Sequence, residues 1–236
     1  MNLQEITKTI KKSWKWIWNS DSIWSWIIAL ILIFVIIKFI FFPGLSLIQG
    51  TSLPLAGVES SSMDHSSLKY CLSDPTNTQG ICPRYSDDYE ICGVKSDKQT
   101  FYNLDNYWQT CGSWYEQKSI SKEEFSKFPM NNGFSKGDII IVWGRFTPKI
   151  GDIIIFKPNA GATRQTPIIH RIVKIENGII QTKGEHNPDQ IKLPNNLNID
   201  ETHITKDQMI GKAIFKIPYL GYIKIWASEL TGRIFG

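Results

Sequence analysis

Residues 23–42 read IWSWIIALILIFVIIKFIFF, an apolar run broken only by Ser25 and Lys38. At about 1.5 Å of rise per residue, some 20 helical residues cross roughly 30 Å, the thickness of a bilayer's hydrocarbon core. No polar face runs along the segment, which argues against a core helix of a soluble domain. The run is too long for the apolar part of a cleaved signal peptide, and the nearest small-residue stretch, PLAG at 54–57, makes a poor cleavage site. One transmembrane helix over 23–42 is therefore predicted. Lys38 can snorkel to the headgroups at one end, and Trp14, Trp16, Trp18, Trp24 and Trp26 form an interfacial belt at the other. Lys8, Lys11, Lys12 and Lys15 precede the span, so residues 1–22 are expected in the cytoplasm and the rest outside the cell membrane.

The chain has 236 residues, 42% of them hydrophobic and 20% charged, enough apolar material for a folded part beyond the span. The net charge of +4 is modest and the lysines outside the N-terminal cluster are scattered, which gives no nucleic-acid surface. Pro43, Gly44, Gly50 and Pro54 are expected to end the membrane helix and lead to VESSSMD at 58–64. By itself a serine cluster signals a turn or linker. Its meaning changes with His170, which sits in the strand-like run PIIHRIVKI, and with TKGEHNPDQ after it, which offers Glu185 and Asp189. Ser62 as nucleophile, His170 as base and a carboxylate to orient the ring complete a possible hydrolytic set.

Between these blocks, residues 65–120 are rich in Asp, Ser, Asn, Tyr and Gly and show no clear period. They hold all four cysteines, Cys71, Cys82, Cys92 and Cys111, and read as an inserted lobe. Outside a membrane an even number of cysteines favours two disulfides, whose pairing spacing does not decide. A zinc site is the competing reading, but no Cys-x-x-Cys pair occurs, and no metal is expected. His65, three residues beyond Ser62, is expected at the surface. SKEEFSKF, at 121–128, carries the capping-box pattern Ser121/Glu124 and predicts one short helix. The remainder predicts strands: 136–144 and 150–158, which share GDIII, then 167–176 and 178–183 joined at Asn177-Gly178, and 209–217. Asp138 and Asp152 read as turn acids. The aromatics of 215–226 are expected mainly in the sheet, and Pro218 and Gly221 rule out a second span there.

In this order, SSSM, GDIII twice, IIHRIV, TKGEHNPD and IGKAIFKIPYLGYI resemble the type I signal peptidases, in the serine-histidine branch of archaea and the endoplasmic reticulum. The resemblance covers roughly residues 20–64 and 130–225. It implies a mainly β, signal-peptidase-like antiparallel catalytic domain, here 43–64 with 121–236, behind one N-terminal transmembrane helix and interrupted by the cysteine lobe. It also implies Ser62 as nucleophile, Ser60 and the backbone of Ser62 as oxyanion donors, His170 as base, and no cofactor. The family usually has KGD followed by a further Asp five or six residues on. This chain has KGE, and its next carboxylate, Asp189, is only four on. Asp189 is favoured as the acid and Glu185 is the alternative.

The implied activity is cleavage of signal peptides from secretory preproteins. Membrane lipid and the translocation machinery are the expected partners, and no nucleic acid is. A self-cleaving or regulatory serine peptidase of similar fold, or a non-catalytic anchor that binds a partner through the cysteine lobe, are the rival readings.

Overall fold

The computed structural model describes residues 3–72, 84–162, 165–195 and 198–221. It forms two compact units, Met1–Gln49 and Gly50–Gly236.

In the first unit, α1 (Leu3–Asn19) is followed by a break at residues 20–22 and then by α2 (Ile23–Ile36). The Ser25 hydroxyl, fully buried, closes that break by donating to the carbonyls of Ser20 and Ser22 at 2.8 and 2.7 Å. The apolar run does not end at Phe42 as expected. Through a π-turn, Ile37–Phe41, it continues into α3 (Phe42–Gln49), and the continuous helix Ile23–Gln49, of 27 residues, is long and apolar enough to cross a membrane. Pro43 lacks the N–H that would bond four residues back. The wider π-turn immediately before it shifts the hydrogen-bond ladder where that bond is missing, so the helix passes through. Within the span, the Lys38 ammonium lies over the rings of Phe34 and Phe39 at 5.6 and 5.4 Å.

The second unit is built on a six-stranded antiparallel sheet. Its strands are β1 (Leu55–Gly57), β5 (Ile139–Trp143), β6 (Ile153–Phe156), β7 (Ile168–Glu176), β8 (Ile179–Lys183) and β9 (Met209–Ile217), in the order β1-β5-β9-β6-β7-β8. The two GDIII segments become β5 and β6, separated in the sheet by β9. All of Ile153, Ile154, Ile155 and Phe156 are buried, because apolar clusters cover both faces of β6. β7 and β8 form the expected hairpin, with Asn177 and Gly178 both at positive φ, as a tight turn of primed type requires. β1 stands at one end of the described sheet, paired on one side only.

Residues 65–120 are not without period. Beside a three-stranded sheet of β2 (Leu68–Cys71), β3 (Tyr85–Ile91) and β4 (Val94–Ser96), they form α4 (Leu104–Glu116), capped by the Asn103 side chain on the Asn106 amide at 2.9 Å. The helix places Tyr107, Trp108, Cys111 and Tyr115 on one buried face. Its pattern was masked in the sequence because the stripe is aromatic and sulfur-bearing rather than aliphatic. α5 (Lys122–Ser126) has the predicted capping box and buries Phe125 in the same cluster, which also takes in Val173 of β7. One disulfide joins Cys92 to Cys111; Cys71 is also disulfide-bonded, and Cys82 lies outside the described residues. At the far end of β9, Phe215 and Tyr219 are exposed rather than packed in the sheet; residues 222–226 lie outside the described residues.

Because the aromatic cluster spans α4, α5 and β7, lobe and sheet are expected to unfold together. Phe125→Ala, which removes a fully buried ring touching Tyr107, Trp108, Tyr115 and Phe128, should cost about 3–5 kcal/mol. Urea denaturation followed by tryptophan fluorescence and far-UV dichroism should show one coincident transition moved to lower urea. Two separated transitions would refute the shared core.

Candidate active site

Ser62 sits in a turn closed by the Asp64 amide on the Ser61 carbonyl at 2.9 Å. The next residue, Met63, is fully buried among Val58, Phe134, Ile140 and their neighbours, and its carbonyl accepts from the Phe134 amide at 3.0 Å. The Ser62 carbonyl in turn accepts from the His186 amide at 2.9 Å. Gly133, at φ +63°, makes this approach possible, since a Cβ there would fall 2.2 Å from the Met63 carbonyl oxygen. The Ser60 and Ser62 hydroxyls are 3.2 Å apart.

His170 lies in β7, paired with Ile154 of β6, and is buried. Its Nδ1 is 2.5 Å from Oε1 of Glu201, a fully buried carboxylate reached by neither of the sequence assignments. Glu201 is itself held. Thr182 Oγ1 donates to its Oε1 at 2.9 Å, the Ile191 amide to its Oε2 at 2.7 Å, and its backbone pairs with Thr182 and Ile191. An ionised carboxylate only accepts, so a neutral imidazole paired with it carries its proton on Nδ1 and keeps the Nε2 lone pair free. Nε2 faces the serine turn: a Cβ placed on Gly184 would lie 2.8 Å from Nε2, 2.9 Å from the Ser62 carbonyl oxygen and 2.6 Å from Asn187 Nδ2. Ser60, Ser62, His170 and Asn187 open together onto one cavity of about 1270 Å³, walled by apolar residues that include Leu53, Ala56, Val58 and Ile155.

The structure does not bring Asp189 to His170. Its carboxylate, half exposed, accepts from Trp114 Nε1 at 2.9 Å and from Lys192 Nζ at 2.7 Å. Burial, the largest single effect, would raise its pKa, but the hydrogen bonds from Lys192, Trp114 and the Gln190 backbone, with the Lys192 charge, together outweigh it and hold the group at about 2. Glu185 is committed elsewhere too, buried between Arg171 Nε and His65 Nε2. Burial alone would raise its pKa, but the Arg171 and His65 charges and hydrogen bonds outweigh it and hold the group at about 2. His65 is not the surface residue expected: it is buried, stacked on Tyr107 at 3.8 Å between ring centroids. Glu201 escaped sequence reading because it is 31 positions beyond His170 in a polar stretch without motif. In NIDETHIT the buried positions are Ile199, Glu201 and Ile204, spaced by two and then three, so no regular alternation marks the carboxylate. Among the described residues, no group of three or more His, Cys, Asp or Glu side chains is placed to hold a metal ion.

A mainly antiparallel β unit behind one apolar N-terminal helix, with a buried His–carboxylate pair opening on a serine turn, is a signal-peptidase-like architecture. No family model matches the chain. It is similar to the signal peptidase complex catalytic subunit SEC11 of Saccharomyces cerevisiae, in strains YJM789 and RM11-1a among others, at 32% identity over 108 residues. The match takes in 42% of this chain and 61% of the yeast protein, so the chain spans under two thirds of these curated relatives. The similarity supports the type I, endoplasmic-reticulum-branch resemblance drawn from the motifs.

Glu185→Gln leaves the buried Arg171 guanidinium without its counter-charge and should cost about 3–5 kcal/mol in urea unfolding at pH 7. Glu185 has its folded pKa depressed from 4.5 to about 2, so its contribution is complete above about pH 4.5 and is lost as pH falls toward 2. The wild type should therefore lose stability more steeply than the variant across that window. Parallel curves would refute the pairing.

Proposed function

We propose that this chain is a membrane-anchored serine endopeptidase that removes N-terminal signal peptides from exported preproteins, its N-terminus cytoplasmic and its β unit outside the cell membrane. The observation that supports it most is the His170–Glu201 pair facing the Ser60–Ser62 turn across one cavity, in a chain similar to a signal peptidase catalytic subunit. In this reading Nε2 of His170 takes the Ser62 proton as Oγ attacks the scissile carbonyl, and returns it to the leaving amine. Glu201 keeps the proton on Nδ1 and stabilises the imidazolium. Backbone amides at Ser62, with the Ser60 hydroxyl, stabilise the oxyanion. Water activated by the same ring then hydrolyses the acyl-enzyme.

The substrate would enter extended. The side of β1 that pairs with no described strand offers main-chain partners beside Ser62, and the apolar walls at Leu53, Ala56 and Ile155 suit small uncharged side chains before the cut. A mainly apolar helix of 27 residues tethers the enzyme where such substrates emerge, with membrane lipid and the translocation machinery as its surroundings.

Purified full-length chain assayed on a preprotein should lose processing in Ser62→Ala and in His170→Ala while circular dichroism stays unchanged. Near-normal turnover by either would overturn the proposal.

The carboxylates separate in the same assay. Glu201→Gln should lower kcat by about 10⁴-fold, as loss of the acid does in other triads, and Asp189→Asn should remain within a few-fold of wild type. The reverse ranking would return the role to Asp189.

A further inference from the structure

The lobe between Ser62 and His170 meets the site at the loop that follows β8. Its disulfide, Cys92–Cys111, joins the β3–β4 turn to α4 and presses on the loop of residues 184–188. The Cys92 amide donates to the His186 carbonyl at 2.9 Å, Cys92 Sγ lies 3.3 Å from the Glu185 carbonyl oxygen, and the Tyr107 hydroxyl donates to that same oxygen at 2.8 Å. From α4 the rings of Trp114 and Tyr115 also cover Lys183, whose ammonium donates to the carbonyls of Gly184 and Asn187 at 3.0 and 2.7 Å. The opposite side of the loop meets the nucleophile. The His186 amide donates to the Ser62 carbonyl, His186 Nδ1 is 3.2 Å from the Asp64 carbonyl oxygen, and the Glu185 amide is 3.5 Å from Met63 Sδ. A single thickness of backbone thus separates the disulfide from the serine turn.

We infer that the Cys92–Cys111 disulfide and Tyr107 form a positioning brace for Ser62, so that peptide cleavage depends on the closed disulfide. This rests on the peptidase reading given above. The brace does not touch the β1 edge or the apolar cavity walls, where substrate would bind. Its loss should therefore displace the nucleophile without emptying the binding groove. A misplacement near 1 Å costs on the order of 10²-fold in rate.

The test uses the full-length chain in detergent, with Cys92 and Cys111 both replaced by Ala so that no stray thiol remains, and separately Tyr107→Phe, which keeps the ring on His65 and removes only the hydroxyl. The double variant should keep its far-UV dichroism, lose about 10²-fold in kcat at nearly constant KM, and exchange the His186 amide faster in hydrogen–deuterium exchange. Tyr107→Phe should lose about tenfold in kcat with the same change at His186. Reduction of the wild type with a phosphine, which also opens the Cys71 disulfide, should lower kcat at least as far as the double variant does; at each bond two electrons pass to the sulfur–sulfur bond, and water supplies the two thiol protons and the oxygen of the phosphine oxide. A folded double variant with kcat within twofold of wild type, or an unchanged His186 exchange rate, overturns the brace. If the double variant fails to fold, Tyr107→Phe decides, and unchanged kcat and exchange there overturn it as well. A wild type inactive on every preprotein would sink the peptidase reading alone, because the exchange measurement judges the brace without activity.

Discussion

The second unit depends on one buried charge cluster. Glu185, without solvent contact, takes Arg171 on one oxygen and His65 on the other. The charges of Arg171 and Glu185 would each be prohibitively costly in that position alone, so the two must be buried together or not at all, with His65 hydrogen-bonded to the same carboxylate. Three further guanidinium donors of Arg171 go to the carbonyls of Gly151, Pro129 and Met130 at 2.6, 3.0 and 3.1 Å, and its flat face lies against the rings of Phe125 and Phe128. Five segments distant in sequence are tied by this one side chain and its partner: β7, the loop after β8, the stretch before Gly133, the turn before β6 and the residues following Ser62. Two of them carry the serine and the histidine.

That arrangement explains why the two glutamates divide their work. Each oxygen of Glu185 is committed, one to Arg171 and the other to His65, while the His170 ring is held by Glu201. Glu201 approaches the ring from the other side of β8, its backbone paired with Thr182 and Ile191, so that its side chain has little freedom before it meets Nδ1. Asp189, half exposed and matched with Lys192, is where water screens the charge, and a screened carboxylate can neither fix a tautomer nor strongly stabilise an imidazolium.

Much of this could be read from the residues. The GDIII strands, the Asn177-Gly178 hairpin, the Ser121/Glu124 capping box and the serine and histidine blocks all depend on short-range chemistry, which local sequence encodes. The features that escaped depend on distant partners. His65 reads as polar surface until Glu185 and Tyr107 are known to enclose it. α4 hides its stripe in Tyr, Trp and Cys, residues equally at home in loops. Pro43 signals a helix end, yet the π-turn ahead of it changes which bonds are needed. Glu201 could be found only by knowing that the chain after Lys183 makes a long excursion and returns to pair with Thr182.

Lys183 raises a last question of chemistry, because a buried lysine near the serine turn could itself serve as a base, and burial does pull its pKa down to about 8. Proximity is not sufficient. A base must be neutral and must face the proton it takes. At neutral pH a group titrating near 8 is still mostly charged. Two of its N–H bonds are spent on the carbonyls of Gly184 and Asn187, and the ammonium lies under the rings of Trp114 and Tyr115. Those contacts favour the cation and turn it toward α4, whereas His170, not Lys183, lines the cavity with Ser62. Deprotonating Lys183 would also weaken the bonds that keep residues 184–187 folded against the serine turn. The imidazole needs no such sacrifice, since its proton is already placed on the side of Glu201 and its lone pair on the side of the serine.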